Sequence, residues 1–138
     1  MKRFLLLLAG LLAVSLVWGQ QQVKVVYHLS EGTVQAAQAL GNIRNHFNAD
    51  PSVKIVVVTH GPGIDFLLDG ATTPKGQAFT GAISELAGRG VEFRVCNNTL
   101  VGRHISKDKV AMEAQIVPSG VAEVARLQAR EGFAYLRP

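Results

Sequence analysis

Three side chains able to carry proton, sulfur or metal chemistry each close a β-branched run: His28 after Val25-Val26-Tyr27, His60 after Ile55 to Thr59, and Cys96 after Val91 to Val95. Cys96 is the only cysteine of the 138 residues, so it cannot form an internal bridge. It is followed by Asn97-Asn98-Thr99-Leu100, where Asn98 or Thr99 is expected to cap a short helix and leave backbone N–H groups facing the sulfur. Such a position, with a cation nearby, lowers a thiol pKa from about 8.5 to roughly 3.5–7.5. Arg94 and Arg103 are the candidate cations. The residues alone leave two readings of Cys96 open, a thiolate nucleophile or a buried strand-end hydrophobe.

Other chemistries fit less well. His28, His60, His104 and Cys96 would offer N and S donors suited to zinc or copper, yet no HxxxH or CxxC spacing fixes them. The reading therefore assigns no metal ligand and no cofactor. Gly61-Pro62-Gly63 before Ile64 reads first as a tight turn; the alternative, a helix opening with amides able to hold an anion, matches neither a P-loop nor a dinucleotide fingerprint. No GxSxG elbow and no paired strand-end carboxylates support a hydrolase.

The elements that must bring these side chains together alternate between strand and helix, the order of a parallel sheet with crossover helices. Strands are expected at Val23 to Leu29, Val53 to His60, Val91 to Cys96, Gln115 to Val117 and Phe133 to Leu136. Ile55 to Val58 has no polar alternation and should be covered on both faces. Glu92, Arg94 and Cys96 alternate with Val91, Phe93 and Val95, which gives the third strand one more polar face.

A first helix is expected from a cap at Thr33 to about Phe47, with Ala36, Leu40, Ile43 and Phe47 inward and Gln35, Gln38, Asn42 and Asn45 outward. A second is expected from Pro74 through Phe79, Ile83, Leu86 and Ala87, closed by Gly88-Arg89-Gly90. A last one opens at Pro118-Ser119-Gly120, with Ser119 as cap, and ends at Gly132. In such a sheet, ligands meet the carboxyl ends of the strands, where helix N-termini also point. His28, His60 and Cys96 all fall there.

Lys2 and Arg3 precede an apolar run from Phe4 to Val17, and Val17-Trp18-Gly19 offers a cut after Gly19. Residues 1–19 thus read as a signal peptide, and residues 20–138 as a single α/β domain, periplasmic or secreted. An uncleaved membrane anchor is the alternative, with Trp18 at the interface. The formal charge of +4 includes Lys2 and Arg3, and the remaining balance is too weak to imply a nucleic-acid partner.

Several segments together resemble the DsrE/DsrF-like family of sulfur-oxidation and sulfur-relay proteins. They are Val26-Tyr27-His28, Leu40-Gly41-Asn42-Ile43, Val57 to Pro62, Gly90 to Phe93, Cys96 to Leu100, Val117 to Val121, Leu127-Gln128 and Gly132 to Pro138. The resemblance runs in order along nearly all of residues 20–138. It implies a three-layer α/β/α fold with a mostly parallel five-stranded sheet, assembled as an oligomer, here expected to be a homo-oligomer. It also implies a cysteine after the third strand that accepts sulfur as a persulfide, and Cys96 occupies that place. His28, Asn98 and Thr99 fit the pattern as pocket candidates, joined by His60 and Arg103 from the reading of the strand ends. The relay members work in the cytoplasm, so an export signal is a departure from them.

The resulting expectation is an exported sulfur-handling protein that carries persulfide sulfur on Cys96 between donor and acceptor proteins or small thiols. The alternative is a non-catalytic oligomeric binding module with a strand-end pocket and a structural cysteine. A redox or metal sensor built on Cys96 and the histidines is a third class.

Overall fold

Ile55, Val56, Val57 and Val58 are all fully buried, because the strand that carries them lies at the centre of a sheet covered on both sides. A computed structural model describes residues 19–138. The expected signal segment therefore lies outside the described residues, apart from Gly19.

The chain runs β1 (Lys24–Leu29), α1 (Thr33–Ala49), β2 (Lys54–Thr59), a 3-10 segment (Gly61–Leu67), α2 (Thr80–Gly88), β3 (Glu92–Cys96), α3 (Asn97–Gly102), β4 (Ala114–Val117), α4 (Gly120–Glu131) and β5 (Ala134–Leu136). A single 3-10 turn at Lys107–Lys109 precedes β4. The strand order is β4-β3-β2-β1-β5. Every pair is parallel, which sharpens the expected mostly parallel sheet to a wholly parallel one.

Strand alternation sorts the side chains onto two faces. Val25, Tyr27, Leu29, Ile55, Val57, Phe93 and Val95 join a large core with α1, the 3-10 segment and α2. Val26, Val56 and Val58 face the other way and pack on Val124 and Leu127 of α4, with Phe133. These are the three layers of the expected α/β/α fold.

Four local expectations need correction. Thr33 does not cap α1: Gly32 stands at the cap position and makes no side-chain bond. Gln35, expected outward, is buried; its Oε1 accepts from the Ser30 and Glu31 amides at 3.0 and 2.9 Å, two donors of the loop that leads from β1 into α1.

The helix expected from Pro74 starts only at Thr80. Thr73-Pro74-Lys75-Gly76 instead forms a turn in which the Gly76 amide donates to Thr73 O at 2.8 Å, and the Thr73 hydroxyl accepts from the Lys75 and Gln77 amides. Last, α3 begins two or three residues sooner than expected. Cys96 itself, not Asn98 or Thr99, occupies its N-cap position.

Candidate functional site

Glu92, Arg94 and Cys96 share the α4 side of β3 with His28 of β1 and Tyr135 of β5, because the in-register pairs place these positions on one face. His60 follows β2 directly. Sheet order therefore lays Tyr135, His28, His60 and Cys96 in a row across four adjacent strands, β5-β1-β2-β3.

Three of these side chains, Tyr135, His28 and His60, touch along that row. Tyr135 OH lies 2.7 Å from His28 Nδ1, and His28 Nε2 lies 2.7 Å from His60 Nε2. The two imidazoles meet edge to edge, with centroids 4.8 Å apart and planes tilted by 30°. Burial, the neighbouring His60 and the Arg137 guanidinium together hold the His28 pKa below the ordinary histidine value. Arg137 is itself paired with Glu31 at 2.6 Å.

Between His60 and Cys96 sits Gly120, the first residue of α4. A β-carbon there would fall 3.0 Å from Thr59 O, 3.1 Å from His60 Cβ and 3.3 Å from Cys96 Cβ. Glycine thus lets the start of α4 settle against both functional residues. Nothing in the local sequence required it; the close approach of helix and sheet does.

Cys96 is only 5% exposed. Burial is the largest single influence on its thiol and pushes the pKa up. Hydrogen bonding from the Gly120 amide, the Thr99 hydroxyl and amide, and the Asn98 amide outweighs it, so the pKa falls below the ordinary thiol value. The Thr99 hydroxyl accepts from the Gly61 amide at 2.9 Å, which leaves its proton free for the sulfur. Two helix openings therefore lie against one residue: Cys96 stands at the N-cap of α3 and packs on Gly120, the first residue of α4.

The expected cations do not take this part. Arg94 is paired with Glu123 and Glu92, and Arg103 with Asp65 at 2.6 Å while reaching Gly61 O. Amides rather than guanidinium groups favour the thiolate. The alternative reading of Gly61-Pro62-Gly63 as an anion cradle finds no free amides: the Gly61 amide serves Thr99, Pro62 has none, and the Gly63 amide donates to His60 O at 3.0 Å.

Of the expected site residues, His28, His60, Thr99 and Cys96 come together. Asn98 contributes through its amide, which also donates to Pro118 O at 3.3 Å, while the residue as a whole is exposed. Arg103 borders the group through Gly61. His104 is exposed in a left-handed conformation (φ 54°) at the end of α3 and takes no part in the hydrogen-bonded group. Among the described residues, no group of three His, Cys, Asp or Glu side chains is placed to hold a metal ion.

Sequence reasoning did not single out Tyr135 or Gly120. The alternation of β5 puts Tyr135 on the face of Val26 and His28, but only the β1–β5 register reveals it. Asn97 Oδ1, buried without a hydrogen-bond partner, was likewise not foreseen.

Comparison with solved structures places this architecture among known ones. The protein of unknown function MTH1491 from Methanobacterium thermoautotrophicum is 33% identical, with a TM-score of 0.76 over 85% of this chain and 100% of that one. The ychN protein from E. coli, at 14% identity, shares the fold, with a TM-score of 0.66 over 86% of this chain and 100% of that one. No curated protein matches. The model of the DsrE/DsrF-like family matches residues 23–138, and the chain belongs to the DsrE/DsrF-like family.

Proposed function

We propose that this protein is an exported sulfur carrier that holds transferable sulfur as a persulfide on Cys96. Family membership supports a role of the sulfur-relay type, with sulfur-relay proteins as partners. The observation that carries the finer reading is the place of Cys96, which stands at the N-cap of α3 and packs on Gly120 at the start of α4, where the neighbouring amides and the Thr99 hydroxyl favour the thiolate despite burial.

The chemistry is thiolate exchange. Cys96 thiolate attacks the outer sulfur of a donor hydropersulfide, the donor S–S bond breaks, the donor thiolate leaves, and Cys96 persulfide forms. An acceptor thiolate then attacks the outer sulfur and Cys96 leaves as thiolate, with no net oxidation. The 5% exposure of Cys96 favours small donors such as inorganic polysulfide or a low-molecular-weight persulfide over a bulky protein thiol.

Incubation with polysulfide under anaerobic conditions is expected to add one sulfur atom to the intact mass, removable by dithiothreitol. No adduct, or the same adduct on Cys96→Ser, sinks the carrier reading. The same burial favours a second reading, an oligomeric binding module in which Cys96 is structural. A Cys96 that reacts with iodoacetamide only after unfolding decides for that module.

Export is proposed from Lys2, Arg3 and the apolar run that follows. It is tested by recovering from the native host a chain that begins at Gln20. A homo-oligomer is proposed because Leu136 of edge strand β5 and Val121 of α4 are exposed at 42% and 60%. Light scattering of the purified protein tests it, and a monomeric mass rejects it.

A further inference from the structure

The row Tyr135–His28–His60 exceeds what sulfur exchange at Cys96 needs from a scaffold. Its three side chains come from the edge strand, its neighbour and the end of the central strand, and they are joined by two contacts of 2.7 Å. The Tyr135 end is open to solvent, with that residue 40% exposed. The other end stops at His60, whose β-carbon flanks the Gly120 position opposite the β-carbon of Cys96.

We propose that Tyr135, His28 and His60 form a proton relay between the Cys96 thiol and solvent. Its use in sulfur transfer rests on the carrier reading above, but its existence does not.

Proton counting shows how it works. An Nε2–Nε2 contact of 2.7 Å between two imidazoles holds one proton, and two bare or two protonated nitrogens would repel. The neutral row therefore has two states. In one, Tyr135 OH donates to His28 Nδ1, His28 Nε2–H donates to His60 Nε2, and His60 carries its proton on Nδ1. In the other, every hydrogen bond is reversed: His60 Nε2–H donates to His28, His28 Nδ1–H donates to the tyrosine oxygen, and His60 Nδ1 is bare.

The second state accepts a proton. The thiol proton passes to His60 Nδ1, the His60 and Cys96 β-carbons lying on either side of the Gly120 position at 3.1 and 3.3 Å. The proton on His60 Nε2 crosses to His28 Nε2, and the His28 Nδ1 proton leaves to water at the Tyr135 end. One proton enters from sulfur and one departs, leaving the thiolate and the first neutral state. Run backwards, the row delivers a proton to Cys96 or to the departing donor thiolate.

The surroundings keep the row neutral at rest. Burial, His60 and Arg137 all disfavour a lasting imidazolium at His28. On the β5 side the facing charges are Arg137 and its partner Glu31; on the 3-10 side they are Arg103, whose guanidinium bonds Gly61 O, and its partner Asp65. α4 presents Gly120, which has no side chain, and its Glu123 is tied to Arg94 and Arg126. Cys96 is the remaining titratable group beside His60.

Imidazole ¹⁵N resonances, followed by pH titration with no sulfur donor present, test the relay. In the wild type, His28 and His60 are expected to respond together in each of two steps, as coupled sites do. His28→Gln should reduce His60 to one step, Tyr135→Phe should alter the His28 nitrogen shifts, and Cys96→Ser should displace the His60 curve. Independent curves for the two histidines, or a His60 curve unmoved by Cys96→Ser, overturn the relay. A missing persulfide adduct alongside coupled titration would remove the carrier reading and leave the relay standing.

Discussion

The two faces of the sheet are built to different specifications. The face toward α1, the 3-10 segment and α2 is a continuous apolar core in which Phe66 packs edge-on against Phe79 and Phe93, with centroids 5.6 and 6.1 Å apart. The face toward α4 has a small aliphatic patch, and around it lie the paired charges of Arg94 and Glu123 and the row from Tyr135 to Cys96. One face supplies cohesion, so the other can hold polar side chains that contribute little to it. Substitutions in the apolar face should therefore unfold the protein, whereas those in the polar row should change its chemistry alone.

The contrast is broken most sharply on the cohesive face. Phe93→Ala, at a fully buried ring, is expected to cost about 3–5 kcal/mol in urea unfolding. Gly63→Ala should follow at about 3 kcal/mol, because its β-carbon would stand 2.2 Å from Leu29 O and backbone cannot swing aside. On the α4 face, Glu123→Gln leaves Arg94, 12% exposed in its side chain, with Glu92 as its remaining partner, and should cost about 2 kcal/mol. Replacing both by Met and Leu should restore most of that loss, since an apolar pair carries no desolvation penalty. A double replacement as damaging as Phe93→Ala would erase the distinction between the faces.

The smallest effect is a pH dependence. The folded His28 pKa lies below its unfolded value, so the unfolded chain takes up the proton first. Stability is complete above about pH 6.5 and declines as pH falls through the folded value. His28→Gln should flatten that slope, measurable as the change in unfolding midpoint between pH 7.5 and 5.5. An unchanged slope would show that His28 gains no proton on unfolding.

The sequence by itself determined the layer order. Ile55 to Val58 can only be a strand covered on both faces, and the alternation of Glu92, Arg94 and Cys96 with Phe93 and Val95 divides β3 between them. It also determined that His28, His60 and Cys96 would lie near one edge of the sheet, since parallel strands all end on the same side. Tertiary structure decided the rest.

Whether Cys96 is served by amides or by Arg94 and Arg103 depended on where Glu123, Glu92 and Asp65 came to lie, and these approach from other elements. Gln35 turned inward to serve the Ser30 and Glu31 amides, a need that amphipathic spacing does not register. Tyr135 and Gly120 entered the site through the β1–β5 register and the close seating of α4. Periodicity along a chain records which face a side chain takes, because that is a local property of the backbone. Which groups meet across strands distant in sequence is settled only when register and helix approach are fixed together.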